Sequence, residues 1–196
     1  MHPHSRLLVG LLAACLSAPA VVTAQVEPPS PQDAAAIVEF SARVHAYSTL
    51  HRRLEGPVAT IDVSEDPDEI TTAIDALGDA IRAARVDAKQ GDIFTPQAAA
   101  LFRRVIRESF GGRFRELIAM THEETPPLGR PTVNGRWPGT SYTFMPPNLL
   151  RLFPPLPEDL EYRFVNRDLV LWDSHANVIV DVISDAIPLL TPVTEE

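Results

Sequence analysis

The chain has 196 residues and a formal charge of −9, from 17 basic and 26 acidic side chains; 45% of its residues are hydrophobic, and it holds 19 prolines and one cysteine. That length and apolar fraction support a packed core in one domain or two small ones, and they exclude wholesale disorder, a collagen-like chain and a disulfide scaffold. The acidic balance argues against a nucleic-acid partner, because neutralising phosphates requires a basic face.

Residues 1–24 read as an export signal. Arg6 supplies the positive start, Leu7 to Leu16 the short apolar run, and Val22-Thr23-Ala24 before Gln25 the small residues a signal peptidase accepts. The run is too short for a membrane span, which needs about 20 apolar residues, and Pro19 interrupts it. The expected location is therefore periplasmic or secreted. A competing reading takes Leu12-Ala13-Ala14-Cys15 as a lipobox that would anchor the protein to the membrane through lipidated Cys15. Either way no cysteine pair remains to staple the fold, which points to a bacterial periplasm or cell surface. Cleavage after Ala24 removes Arg6 and no acid, so the mature chain carries −10.

Residues 25–32 form an extended proline-rich lead. A helical region over 33–124 follows, and three of its helices announce themselves by the same start: a capping residue, then proline, then an acid or a good helix former. Ser30-Pro31 opens the first, whose stripe of Ile37, Phe40, Val44, Tyr47 and Leu54 runs to Gly56. Asp66-Pro67 opens the second, with Ile70, Ile74, Leu77 and Ile81 on one face up to Gly91. Thr95-Pro96 opens the third, carrying Leu101, Phe102, Val105 and Ile106 to the break at Gly111-Gly112. Arg113 to Thr121 is expected as a short fourth helix.

Between Thr125 and Pro157 there are 9 prolines in 33 residues. They forbid a long helix, yet Trp137, Tyr142, Phe144, Leu149 and Phe153 are threaded among them, so residues 125–157 read as an ordered strap with one helical turn at Asn148 to Leu152. Residues 158–187 then alternate as a three-stranded antiparallel meander: Leu160–Val165, a turn at Asn166-Arg167, Leu169–Trp172, a turn over Ser174 to Asn177, and Val178–Ile183. The last two strands are apolar on nearly every residue, which implies cover on both faces, by helices on one and the strap on the other. Residues 188–196 form a tail. The fold class is α+β: an N-terminal bundle of three or four helices, the strap, and the β-meander.

Leu156-Pro157, Leu160-Glu161-Tyr162-Arg163-Phe164-Val165, Asp168-Leu169-Val170-Leu171-Trp172-Asp173 and Ile179-Val180-Asp181-Val182-Ile183 resemble the C-terminal segment of small exported bacterial proteins of unknown function. The same succession of strands is similar to the C-terminal meander of periplasmic proteins linked to nickel and cobalt homeostasis. The resemblance implies the meander fold, carries no catalytic residue across, and does not extend to the helical half.

The residue types that carry chemistry are few. His45 and His51 lie six apart on the first helix and therefore on different faces, unlike a helical metal pair spaced by three or four; His51 falls on the buried stripe, as a hydrogen-bonded interface histidine would. His122-Glu123-Glu124 reads as a solvated helix end, and Asp173-Ser174-His175 as a hairpin turn rather than a triad, whose members come from separate loops. Arg103, Arg104, Arg107, Arg113 and Arg115 are interleaved with Glu108 and Glu116, and all but one of the basic residues in the chain are arginine. No GxSxG elbow, CxxC pair, HExxH motif or Gly-rich phosphate loop is present.

These observations give a first expectation: an exported envelope protein that binds a partner protein or small ligand without catalysis, cofactor, nucleic acid or membrane span. Its binding surface is expected at Arg136, Trp137 and Tyr142. The alternative is a hydrolase or metal-dependent enzyme of the envelope built on His122, Glu123 and His175.

Overall fold

A computed structural model describes residues 29–56, 66–111, 113, 129–137 and 145–188. The export signal with Cys15, the expected fourth helix beyond Arg113, His122, Glu123 and Tyr142 lie outside the described residues.

Each long helix starts where its capping sequence places it. Helix α1 spans Pro31–Glu55, with the Ser30 hydroxyl accepting the Asp33 N–H at 3.1 Å. Helix α2 spans Pro67–Ala84 behind Asp66, and α3 spans Pro96–Phe110 behind Thr95. Proline at the first helical position costs no hydrogen bond, since that N–H has no intrahelical partner. Gly111 closes α3 in the left-handed region (φ 49°), a conformation that favours glycine. The strap's helical turn is α4, Pro147–Leu150, one residue ahead of the expected start.

Helix α2 stops at Ala84, well short of Gly91. Farther along, the connection is held by Asp181, which is fully buried in the sheet. Its carboxylate accepts the N–H groups of Gly91, Ile93, Phe94 and Val182 at 2.7–3.0 Å. Four amide donors satisfy the buried carboxylate, and those of Gly91, Ile93 and Phe94 hold the α2–α3 connection against the sheet in a non-helical path.

The sheet is the expected meander: β1 (Leu160–Val165), β2 (Asp168–Asp173) and β3 (Val178–Ile183), antiparallel in the order β1-β2-β3. Asn166 and Asn177, at the two turns, take positive φ, which asparagine tolerates better than most residues. A register shift beside Leu171 and Trp172 leaves Val180 without a paired residue on β2.

Both sheet faces are covered. One packs Leu160, Tyr162, Phe164, Leu169, Leu171, Val178 and Val180 against the helices, around an aromatic cluster of Phe40, Phe94, Phe102, Phe153 and Tyr162 with ring centroids 4.5–6.3 Å apart. The other packs Val165, Val170, Ile179 and Val182 under Val133 and Trp137 of the strap. The strap also lines the outer edge of β3, through Asn134 N–H to Ile179 O and Ile179 N–H to Gly135 O, both at 2.8 Å. Pairing at Ile179 takes up the backbone groups this part of the edge would otherwise offer to another chain.

Helix α2 comes unusually close to the β2–β3 turn. A Cβ at Gly78 would lie 2.3 Å from the Ala176 carbonyl oxygen, so only glycine permits this approach. The contact fixes the turn that carries His175 against the helices.

Candidate functional site

Tyr47, His51 and Glu55 follow one another at four-residue intervals on α1, so all three face the same way along its last turns. That face meets the end of β2. Asp173 is the last residue of the strand and, like His51, has no exposed side-chain surface.

The Asp173 carboxylate accepts three donors. Oδ2 takes the Tyr47 hydroxyl at 2.6 Å and lies 2.6 Å from His51 Nδ1, while Oδ1 takes the Ala176 N–H at 2.8 Å. An acceptor on Nδ1 places the imidazole proton there and turns Nε2 into the outward-facing atom. Burial draws the His51 imidazole down, but the hydrogen bond and charge of Asp173, with the charges of Asp159 and Glu55, outweigh it and hold its pKa above the usual histidine value. Burial, with the adjacent Asp173 charge, pushes the Tyr47 phenol far above its ordinary range, so it remains a donor. The Arg85 guanidinium stands 5.1 Å from the Tyr47 ring centroid and donates to the Val180 carbonyl, fastening the same corner to β3.

His51 Nε2 is buried and has no hydrogen-bond partner. Glu55 Oε2, one helical turn on, is 3.8 Å away. Asp159, just before β1, and His175, on the β2–β3 turn, complete the cluster: one ligand atom from each of His51, Asp159 and His175 lies within 4.8 Å of the others. His175 Nδ1 is 3.2 Å from Asp159 Oδ1. Exposure rises outward from 0% at His51 through 20% at Asp159 to 50% at His175. A nitrogen lone pair at the bottom and a carboxylate and imidazole at the mouth can hold a cation or a hydrogen-bonding ligand.

Asp173-Ser174-His175 is a turn and not a triad, as its sequence implied. Asp173 points inward to His51, whereas Ser174 bonds the Asp159 carbonyl through its N–H at 3.0 Å. His51 is the buried, hydrogen-bonded histidine that its position on the stripe implied, and its partner is Asp173.

At the expected strap surface, Arg136 forms ion pairs with Asp75 and Asp79 of α2. Trp137 is 7% exposed, its ring centroid 5.1 Å from that of Trp172, and its backbone N–H donates to Asn177 Oδ1 at 3.0 Å. Both residues fasten the strap. In the basic stretch, Arg104 pairs with Asp33 at 2.5 Å. A groove of about 800 Å³ lies elsewhere, between α1, α3 and residues 152–154, with Ile37, Leu101, Val105 and Leu152 among its lining.

His51 was legible as buried but not as part of a site, because its partners stand more than 100 positions away. The usable signals were the four-residue spacing of Tyr47, His51 and Glu55, and the aspartate that ends an otherwise apolar strand.

No protein-family model, no curated protein and no solved structure matches the chain.

Proposed function

We propose that the protein is exported to a bacterial periplasm or cell surface and acts there by binding a small ligand, not by catalysis, with its binding centre at His51, Asp159 and His175. Export rests on the Arg6, Leu7–Leu16 and Val22-Thr23-Ala24 pattern, and among the described residues no helix is long and apolar enough to cross a membrane. The observation that carries the binding reading is the buried, unpartnered Nε2 of His51 facing two further ligand-type side chains. A buried polar atom without a partner is costly and calls for an explanation; a ligand that supplies the partner is one.

Support for binding over hydrolysis is that no hydroxyl hydrogen-bonds His51 Nε2 among the described residues, whereas a nucleophile–imidazole relay requires one. The surface at Arg136, Trp137 and Tyr142 has less support, since Arg136 is ion-paired and Trp137 is packed. The metal-dependent alternative keeps His175, with His51 and Asp159 in place of His122 and Glu123.

The test has two parts. Intact mass of the protein from the envelope fraction should show a chain starting at Gln25; an acylated Cys15 would establish the lipid anchor instead. The purified protein should melt at a higher temperature in a low-molecular-mass ultrafiltrate of envelope extract, and His175→Ala should abolish that rise. An equal rise in His175→Ala, or none in the wild type, would contradict a binding centre here.

A further inference from the structure

The geometry points to a divalent transition-metal ion of the zinc class as the ligand, held by His51 Nε2, a ring nitrogen of His175 and a carboxylate oxygen of Asp159. The inference rests on the reading of this junction as the binding centre.

Donor chemistry comes first. Two imidazoles and one carboxylate suit zinc-like ions, whereas magnesium and calcium prefer all-oxygen sites. Tetrahedral coordination with bonds of about 2.0–2.1 Å separates ligand atoms by roughly 3.3 Å. His175 Nδ1 and Asp159 Oδ1 already stand at 3.2 Å, and the whole set fits within 4.8 Å. Closing the remainder is left to the two outer side chains, His175 and Asp159, which are partly exposed. The buried partner, His51, need not move.

The outer contacts fit the same reading. A metal-bound imidazole commonly donates its other N–H to a carboxylate, which sets the tautomer and strengthens the ligand. Asp173 stands in that place 2.6 Å from His51 Nδ1, itself held by the Tyr47 hydroxyl and the Ala176 N–H. The unpartnered Nε2 is thereby left aimed at the cluster. Glu55 Oε2, 3.8 Å from Nε2 across one helical turn, is placed to become a fourth ligand or to hold a bound water.

The three ligands come from α1, the approach to β1 and the β2–β3 turn. An ion joining them ties a helix to the end of the sheet where β1 starts and β2 turns into β3, so occupancy stabilises the fold. Zinc in excess of its dissociation constant raises the melting temperature through mass action.

The experiment is calorimetric titration of the tag-free, chelator-stripped protein, as purified from the envelope, with zinc chloride, and with magnesium and calcium chlorides for comparison. The expected result is one equivalent of zinc bound, no magnesium or calcium binding, and at least about tenfold weaker zinc affinity in both His175→Ala and Asp159→Asn. Each variant's metal-free melting curve, matching the wild type's, shows that the fold is intact. No zinc binding, or an affinity unchanged in both variants, overturns the proposal. Envelope ultrafiltrate depleted of metal on a chelating resin separates the two levels. If it still raises the melting temperature in a His175-dependent way while zinc does not bind, the ion is wrong and the binding centre stands. If neither acts, both fail.

Discussion

His51 Nδ1 and Asp173 Oδ2 lie 2.6 Å apart, between two side chains with no exposed surface and 122 positions apart in the chain. This pair joins the last turns of α1 to the end of β2. Asp173→Ala takes the acceptor from three buried donors, the Tyr47 hydroxyl, the His51 ring and the Ala176 N–H, each worth about 1–3 kcal/mol, so the unfolding free energy is expected to fall by at least about 3 kcal/mol. Tyr47→Phe removes a single bond to the same carboxylate and should cost about 1–2 kcal/mol. Urea denaturation of the two variants checks the order; equal, small losses would deny the pair its structural role.

Asp181 anchors the α2–α3 connection through three amides, those of Gly91, Ile93 and Phe94. Alanine there leaves those buried N–H groups without an acceptor, each worth about 1–3 kcal/mol. The variant should be destabilised by at least about 3 kcal/mol, with amide exchange accelerating first at Gly91, Ile93 and Phe94. Uniform acceleration across the sheet and helices would show that the carboxylate supports the whole core and not this connection.

Gly78 and Gly111 are required for different reasons, and alanine separates them. At Gly78 the new methyl group meets the Ala176 carbonyl, so α2 and the β2–β3 turn must part; overpacking of this kind costs about 1–3 kcal/mol. At Gly111 there is open space, and the cost is the left-handed backbone alone, about 1–2 kcal/mol. Only Gly78→Ala should also disturb His175, which a change in the His175 imidazole resonance would report.

Tyr47 and Tyr162 are both raised well above an ordinary phenol by burial, Tyr47 also by the charge of Asp173. A group whose folded pKa exceeds its unfolded value binds more protons in the folded state, so its contribution is complete below about pH 10 and is lost as pH rises beyond it. Stability should fall above pH 10 by up to about 1.4 kcal/mol per pH unit for each tyrosine. Ultraviolet titration should show both phenols ionising only with unfolding, and Tyr162→Phe should remove part of that coupled step. A phenolate signal near pH 10 from a folded protein that is lost in Tyr47→Phe would contradict the buried assignment.

Trp137 reports whether the strap is structural. Its ring covers Val165, Val170, Ile179 and Val182 with Trp172 beside it. Trp137→Ala should destabilise by about 3–5 kcal/mol, while leaving ligand affinity at the His51 centre unchanged at temperatures where the protein is folded. Lost affinity in a folded variant would return the strap to the list of binding surfaces.

The helix starts and strand limits were readable because they depend on local chemistry. Ser30-Pro31, Asp66-Pro67 and Thr95-Pro96 each satisfy a helix start within four residues, and alternating side chains mark Leu160–Val165. The end of α2 was not readable, since nothing between Arg85 and Gly91 breaks a helix; a carboxylate some 90 positions later holds that segment. The site follows the same division. His175 stood out as a candidate, and His51 could be placed inside, but their meeting depends on how α1 crosses the sheet. Local spacing carries no record of that crossing.

The claim on which the rest depends is that His51 and His175 belong to one centre. Long-range proton–nitrogen correlation of the imidazole rings, recorded on the metal-free protein and again with one equivalent of zinc, tests it directly. The expected result is a joint displacement of His51 Nε2 and one His175 nitrogen, with His51 Nδ1 still protonated against Asp173 and His45 unmoved. Displacement of His45 alone, or of His175 without His51, would contradict it.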